Sequence, residues 1–244
     1  MGGTIDNMRV GIGDMRHLLS YYQALGFEAL PISLHAIRNI LHDVNAGANG
    51  VDRKSLLEEL RVQIGDCQRC KLAKHRANLV FGAGNPHARL MFIGEAPGKE
   101  EDLQGLPFVG DAGMLLTRLI IKMGMKREDV YIANIIKCRP PMNRDPEEDE
   151  VSTCRRFIEK QIQIIRPKII MTLGRIALQV LMEMPNLRIT SARGHFFDYR
   201  GIPLMPTFHP AYLLRNPKDK ILTWADAQKV MARISPLSSG EAHS

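Results

Sequence analysis

The 244 residues are 45% hydrophobic and 24% charged, enough apolar side chain for one full core, and no apolar run nears the roughly 18 residues that span a bilayer. This composition excludes a membrane-spanning helix, and an N-terminus without a basic stretch ahead of an apolar one gives no reason to expect a secretory signal. The formal charge of +7 is uneven: residues 1–50 carry three Arg against four acids, a net −1, so residues 51–244 carry +8. Such an excess suits a polyanion such as nucleic acid, and equally a well-solvated surface.

In chain order, residues 1–14 are Gly-rich and weakly patterned. A helix is expected over 14–24, with Leu18, Leu19, Tyr22 and Leu25 on one face, and a second over 34–41 before a polar, Gly-rich linker. Residues 1–50 therefore read as an N-terminal extension of unassigned role, and the main domain as 51–236. Asp52 is placed to cap a helix whose face is Leu56, Leu57, Leu60 and Ile64. From residue 90 onward the alternation is regular. Strand 90–93 leads to helix 111–123, strand 130–136 to helix 146–165, and strand 168–173 to helix 175–184. A pair at 195–199 and 203–207 and a last helix over 217–234 follow, then a loose tail, 237–244. Repeated strand–helix units with continuously apolar strands predict an α/β fold, a three-layer α/β/α sandwich around a central, mainly parallel sheet.

Four cysteines are present: Cys67 and Cys70 as C-x2-C, then Cys138 after 67 intervening residues, then Cys154 after another 15. Without an export signal such thiols are metal ligands or core residues rather than disulfides. A zinc ribbon usually shows two tight C-x2-C knuckles, whereas here the second pair is split between a strand end and a helix. That spread suits a [4Fe–4S] cluster slightly better than zinc. Lys71, Lys74, His75 and Arg76 follow the first pair and make the region basic.

Strand 90–93 ends in GEAPGK, a turn rich in acids (Glu95, Glu100, Glu101, Asp102). A phosphate loop needs four residues between Gly and Gly-Lys and then Ser or Thr, but here there are three and Glu100 follows Lys99. Nucleotide hydrolysis is excluded on spacing and on charge. A carboxylate at a strand end can instead orient or deprotonate water or stabilise a developing cation, as Glu95 is placed to do, with Glu101 or Asp102 within reach of the same pocket. Acids at the start of a helix explain the same residues equally well. Asn134, among apolar neighbours in its strand, has the donor and acceptor to read a nucleobase edge, or to satisfy backbone groups. His209 stands at another strand end, before Pro210. Leu213 and Leu214 beside Arg215 have the makings of a wedge that enters a base stack, or of ordinary packing.

Together GEAPGKEED, LPFVGDAG, YIANIIKCRPPMNRDP and HPAYLLRNP, with the four cysteines interspersed, resemble the family 4 uracil-DNA glycosylases, the iron–sulfur branch of that superfamily, over roughly residues 55–234. The resemblance implies base excision repair: uracil flipped out of single- or double-stranded DNA and its N-glycosidic bond hydrolysed, leaving free uracil and an abasic site. By the same resemblance Phe108 stacks on uracil, Asn134 pairs with its edge, His209 donates to the oxygen that gathers charge, and Gly94, Glu95, Ala96 and Gly98 line the pocket. Leu213, Leu214 and Arg215 would fill the gap in the helix and hold phosphate. Cys67, Cys70, Cys138 and Cys154 would hold a [4Fe–4S] cluster, zinc being the lesser alternative.

The best-known branch carries a water-activating Asp where this chain has Ala96, a loss the family 4 pattern shares. Glu95 is the first candidate for that role and Glu101 the second, with Asn143 able to position water. Glu95 separates the chain from family 5, whose turn reads GLAPG, and PPMNRDP lacks the histidine of the covalently uracil-trapping relatives. The accompanying expectations are a monomer in the cytoplasm, on the nucleoid and off the membrane, with residues 1–50 available to a replication or repair protein.

Overall fold

The structure, a computed structural model, describes residues 52–234; the expected helices at 14–24 and 34–41, the rest of the N-terminal extension and the tail at 237–244 lie outside the described residues. Six strands form one sheet: β1 (Ala83–Gly84), β2 (Leu90–Gly94), β3 (Tyr131–Asn134), β4 (Ile169–Leu173), β5 (Phe197–Tyr199) and β6 (Ile202–Thr207), in the order β1-β3-β2-β4-β6-β5. The four central strands are parallel and the short edge strands β1 and β5 are antiparallel to their neighbours, as expected of a mainly parallel sheet. β2 and β4 are buried at every position, which is why they read as unbroken apolar runs rather than alternating ones.

Successive strand side chains point to opposite faces, and the core divides accordingly. Met91, Ile93, Tyr131, Ala133, Ile170 and Leu204 pack on one side, beneath α1 (Arg53–Ile64), α4 (Glu148–Ile165) and α5 (Arg175–Met182). Leu90, Phe92, Ile132, Ile169, Met171 and Met205 pack on the other, beneath α3 (Asp111–Lys122) and α8 (Lys220–Ile234). These are the three layers. Asp52 caps α1 by accepting from the Lys54 N–H at 3.0 Å, and Leu57, Leu60 and Ile64 form its buried stripe.

Three local expectations are corrected. The acidic turn after β2 contains a helix, α2 (Lys99–Gln104), with Glu100, Glu101 and Asp102 in its first turn, where the helix dipole favours them. Strand β3 stops at Asn134 rather than 136, although the Ile135 and Ile136 N–H groups still bond to the Gly94 and Glu95 carbonyls. The sequence pattern assigns no helix to the HPAYLLR stretch. It folds as α7 (Pro210–Arg215), started by Pro210 at the first helical position and separated from α8 by non-helical Asn216 and a turn over Pro217–Asp219. A short α6 (Ile189–Ala192) precedes β5.

The C-terminal end of β6 is tied down from beneath. The Thr207 hydroxyl donates to the buried Asp226 carboxylate at 2.7 Å, and Asp226 pairs with Arg193, whose Nε lies 3.0 Å from it. Removing one partner leaves the other uncompensated, so Asp226→Ala is expected to lower unfolding stability by about 3 kcal/mol in urea denaturation. A change within error would show that this network does not hold β6.

Candidate active site

A cleft of about 400 Å³ opens at the C-terminal ends of the parallel strands, where an open α/β sheet presents its ligands. Glu95, Ala96, Gly98, Glu101, Phe108, Asn134, Asn143, His209 and Arg215, all singled out from the sequence, line it. Gly94, also expected in the lining, is instead buried behind Asn134 and Phe108. β2 and β3 run in register so that Gly94 sits beside Asn134. A Cβ on Gly94 would lie 2.5 Å from both Asn134 Oδ1 and Phe108 Cζ, so glycine is required for the amide and the ring to approach the same backbone.

Asn134 is 1% exposed, and its Oδ1 has no hydrogen-bond partner. A buried acceptor left unpaired costs free energy, and at the wall of a cleft it marks a place for a donor. Phe108 faces the same space with its backbone in the left-handed region, at φ 52°. Gly113 permits that turn, since a Cβ there would fall 1.9 Å from the Phe108 carbonyl oxygen. Glu101 braces it: Oε1 accepts from the Val109 and Gly110 N–H groups at 2.8 and 3.0 Å, and Oε2 from the Gly98 N–H at 3.1 Å. With both oxygens so engaged, Glu101 joins the two sides of the pocket.

His209 caps α7, and its Nδ1 accepts from the Ala211 N–H at 3.1 Å. A neutral imidazole that accepts at Nδ1 carries its proton at Nε2. Burial, reinforced by Arg215, pulls its pKa down to about 4 against the opposing pull of Glu101, so His209 is a neutral donor near pH 7. Its ring centre lies 5.7 Å from that of Phe108. Glu95 shows the reverse shift. Burial and then Asp145 push its carboxyl up to about 7, and Arg175 partly offsets them. Asp145 and Arg175 pair at 2.6 Å. Asn143 is exposed on the loop after β3, its Oδ1 accepting from Arg139 Nε at 2.8 Å.

The family model described as Uracil DNA glycosylase superfamily matches residues 81–229. A type-4 uracil-DNA glycosylase of Saccharolobus solfataricus is 47% identical over 187 residues, covering 73% of this chain and 87% of the relative. That of Thermotoga maritima is 46% identical over 170 residues, covering 69% and 88%. That of Sulfurisphaera tokodaii is 43% identical over 182, covering 71% and 83%. The chain belongs to the uracil-DNA glycosylase superfamily, in its type-4 branch.

In this type-4 chain the expected wedge pair divides. Leu213 is 3% exposed and packs into the core, whereas Leu214, turned about 100° further round α7, is 42% exposed. Leu213 is thus corrected to a packing residue, with Leu116, Phe208 and Trp224 around the same apolar groove. The four cysteines are free thiols, Cys67 and Cys70 half-buried, Cys138 and Cys154 buried. Burial raises the Cys138 thiol, opposed by Arg76, with Cys70 and Cys67 adding to the rise; burial raises Cys154 to about 12, with Cys138 and Cys70 adding. The thiols thus share one electrostatic neighbourhood. Arg76 donates to Cys138 Sγ and Arg69 to Cys67 Sγ, each at 3.2 Å. Among the described residues no group of three or more Cys, His, Asp or Glu side chains is drawn tightly enough to hold a metal ion, and no helix is long and apolar enough to cross a membrane.

Sequence reasoning missed Arg144, Asp145, Ala112 and Tyr212, which also line the cleft. Asp145 was legible only as part of the NRDP motif; its pairing with Arg175 crosses from the loop after β3 to the start of α5. The charge pattern predicts opposite effects on Glu95. Asp145→Asn should lower its pKa below about 7, because a negative neighbour is removed, and Arg175→Met should raise it. Carboxyl-carbon NMR titration reads both, and a Glu95 midpoint indifferent to either change would disconnect the pair from it.

Proposed function

We propose that this chain excises uracil from DNA, hydrolysing the bond between base and deoxyribose, and that Asn134 selects the base. The carrying observation is the unpaired, buried Asn134 Oδ1 beside Gly94 and Phe108. Uracil offers an N3–H donor next to the O4 acceptor, matching the amide's oxygen and NH2 at once. Cytosine offers the reverse pattern, leaving the buried amide mismatched.

The base must first leave the stack and enter the cleft. Phe108 then lies against its face, and His209 Nε2–H donates to O2. As the C1′–N1 bond breaks, its electron pair passes to the uracil ring and negative charge gathers at O2. A neutral donor fixed beforehand by the Ala211 bond stabilises that charge without a proton having to move first. The sugar becomes cationic, and water adds its oxygen at C1′. Glu95 as carboxylate orients this water and takes its proton, with Asn143 as a second hydrogen-bonding group. Glu101 braces the turn and touches no reacting atom. Leu214 fills the space left by the base, and Arg215 meets a flanking phosphate.

Cys67, Cys70, Cys138 and Cys154 would hold a [4Fe–4S] cluster. The all-thiol donor set fits it, as do the arginine N–H groups aimed at two sulfurs. Bound, the cluster would supply structural support and a local negative charge, with no part in the bond that breaks. The working unit in this reading is residues 51–236, a monomer acting on nucleoid DNA in the cytoplasm. The +8 charge of residues 51–244 supports the DNA contact. Residues 1–50 are left for a replication or repair protein.

Free uracil should be released from uracil-containing oligonucleotides, single-stranded or paired with G or A, and not from the cytosine-containing equivalents. Asn134→Ala and His209→Ala should each lower kcat by about 100-fold or more. No uracil release at any enzyme-to-DNA ratio would sink the proposal. Because Glu95 works as the carboxylate, kcat/KM should rise with pH through about 7 and Glu95→Gln should remove that rise. A rise retained by the variant would move the role elsewhere.

A further inference from the structure

Lys137 is 1% exposed, and the proposed reaction gives it no role. It follows β3 and immediately precedes Cys138. Its Nζ donates to the Asn134 carbonyl at 2.8 Å and to Gln161 Oε1 at 2.7 Å, both uncharged acceptors. Among the described residues no carboxylate pairs with it. Gln161 is itself fixed on α4, donating to the Phe81 carbonyl at 2.9 Å, so the ammonium is held in one place. A fully buried cation is costly unless negative charge stands nearby. Lys137 directly precedes Cys138, and its backbone N–H bonds to the Cys154 thiol, so the cysteine site is where negative charge would stand once these thiols are ligands. The arginines at the cysteine site are less dependent on it. Arg76 also pairs with Asp66, and Arg69 donates to the Ile64 and Gln63 carbonyls at the exposed end of α1.

We propose that Lys137 is a positioning residue that joins the cysteine-bound cluster to the uracil-reading strand. Its ammonium balances the negative charge of the cluster and its thiolates, and its bond to the Asn134 carbonyl fixes the backbone from which the selecting amide projects. The cluster thereby supports base recognition through one buried side chain. This rests on the four cysteines being cluster ligands.

The test uses the full chain purified without oxygen, with Lys137→Met, which keeps length alone, and Lys137→Gln, which keeps a donor without charge. Iron and acid-labile sulfide in the unaltered protein come first; if they are absent, the cluster reading fails independently of Lys137. With the cluster present, both variants should show a lower reduction potential, because a positive charge has gone. In Lys137→Met kcat for uracil release should fall roughly tenfold, and Lys137→Gln should recover part of it. An unchanged potential in both variants, or an unchanged kcat in Lys137→Met, overturns the proposal. Should the variants fail to fold, the unaltered protein decides. Chelator removal of the cluster should speed amide exchange at 134–137 while exchange at 169–173 holds, and equal exchange at 134–137 before and after removal overturns the link.

Discussion

Parallel pairing of β2 with β3 sets Gly94 beside Asn134, and the rest of the site depends on that register. A slip of one residue would turn the Asn134 side chain to the opposite face of the sheet and replace Gly94 with a residue bearing a Cβ. The register is secured beyond the strands themselves, because the Ile135 and Ile136 N–H groups continue the ladder onto the Gly94 and Glu95 carbonyls. The pocket floor is therefore sheet backbone. Its opposite wall is a tight turn, held by the three amide bonds to Glu101 and by the room Gly113 leaves for Phe108. Rigid support on both sides lets one unsatisfied amide oxygen persist, ready for a donor.

Burial sets the charges in this space. It raises Glu95 to about 7 and lowers His209 to about 4, both shifts favouring the uncharged form. A neutral imidazole and a carboxyl poised near neutrality suit a reaction that produces an anionic base and a cationic sugar together. A charged histidine would need burial compensated in the resting site, whereas a neutral N–H donor gains most as charge develops. The Asp145–Arg175 pair, on elements that flank the cleft, adjusts Glu95 from outside the base pocket.

Much of this was legible in the sequence for physical reasons. Strands covered on both faces show as unbroken apolar runs, so β2 and β4 could be bounded within a residue or so, and the parallel sheet followed. Gly94 and His209 lay at expected strand ends beside proline-bearing turns, whereas Asn134 stood out as an amide among apolar neighbours within its strand. The features that escaped depend on pairings distant in sequence. Nothing local in GEAPGKEED tells that Glu101 reaches the 109–110 amides rather than a water. Nothing in YLLR tells which leucine faces the core, because that depends on α7 being a helix and on where it packs. The β1 and α6 segments are too short for a period to register. Asp145 has its partner thirty positions away, at the start of another helix.

Lys137 belongs with these. Nothing in YIANIIKCRPP marks it as buried, yet it is among the largest fully buried side chains described. Burial pulls its pKa down to about 8, and the thiols of Cys154 and Cys138 oppose that fall. An apolar residue of similar length would pack in the same space without that cost. What an apolar residue lacks is a donor for the Asn134 carbonyl and a charge to set against thiolates. If the cysteine site supplies the neutralising charge, the end of the reading strand would depend on that site being filled. A cluster held there would then matter to how uracil is read without taking part in the bond that breaks.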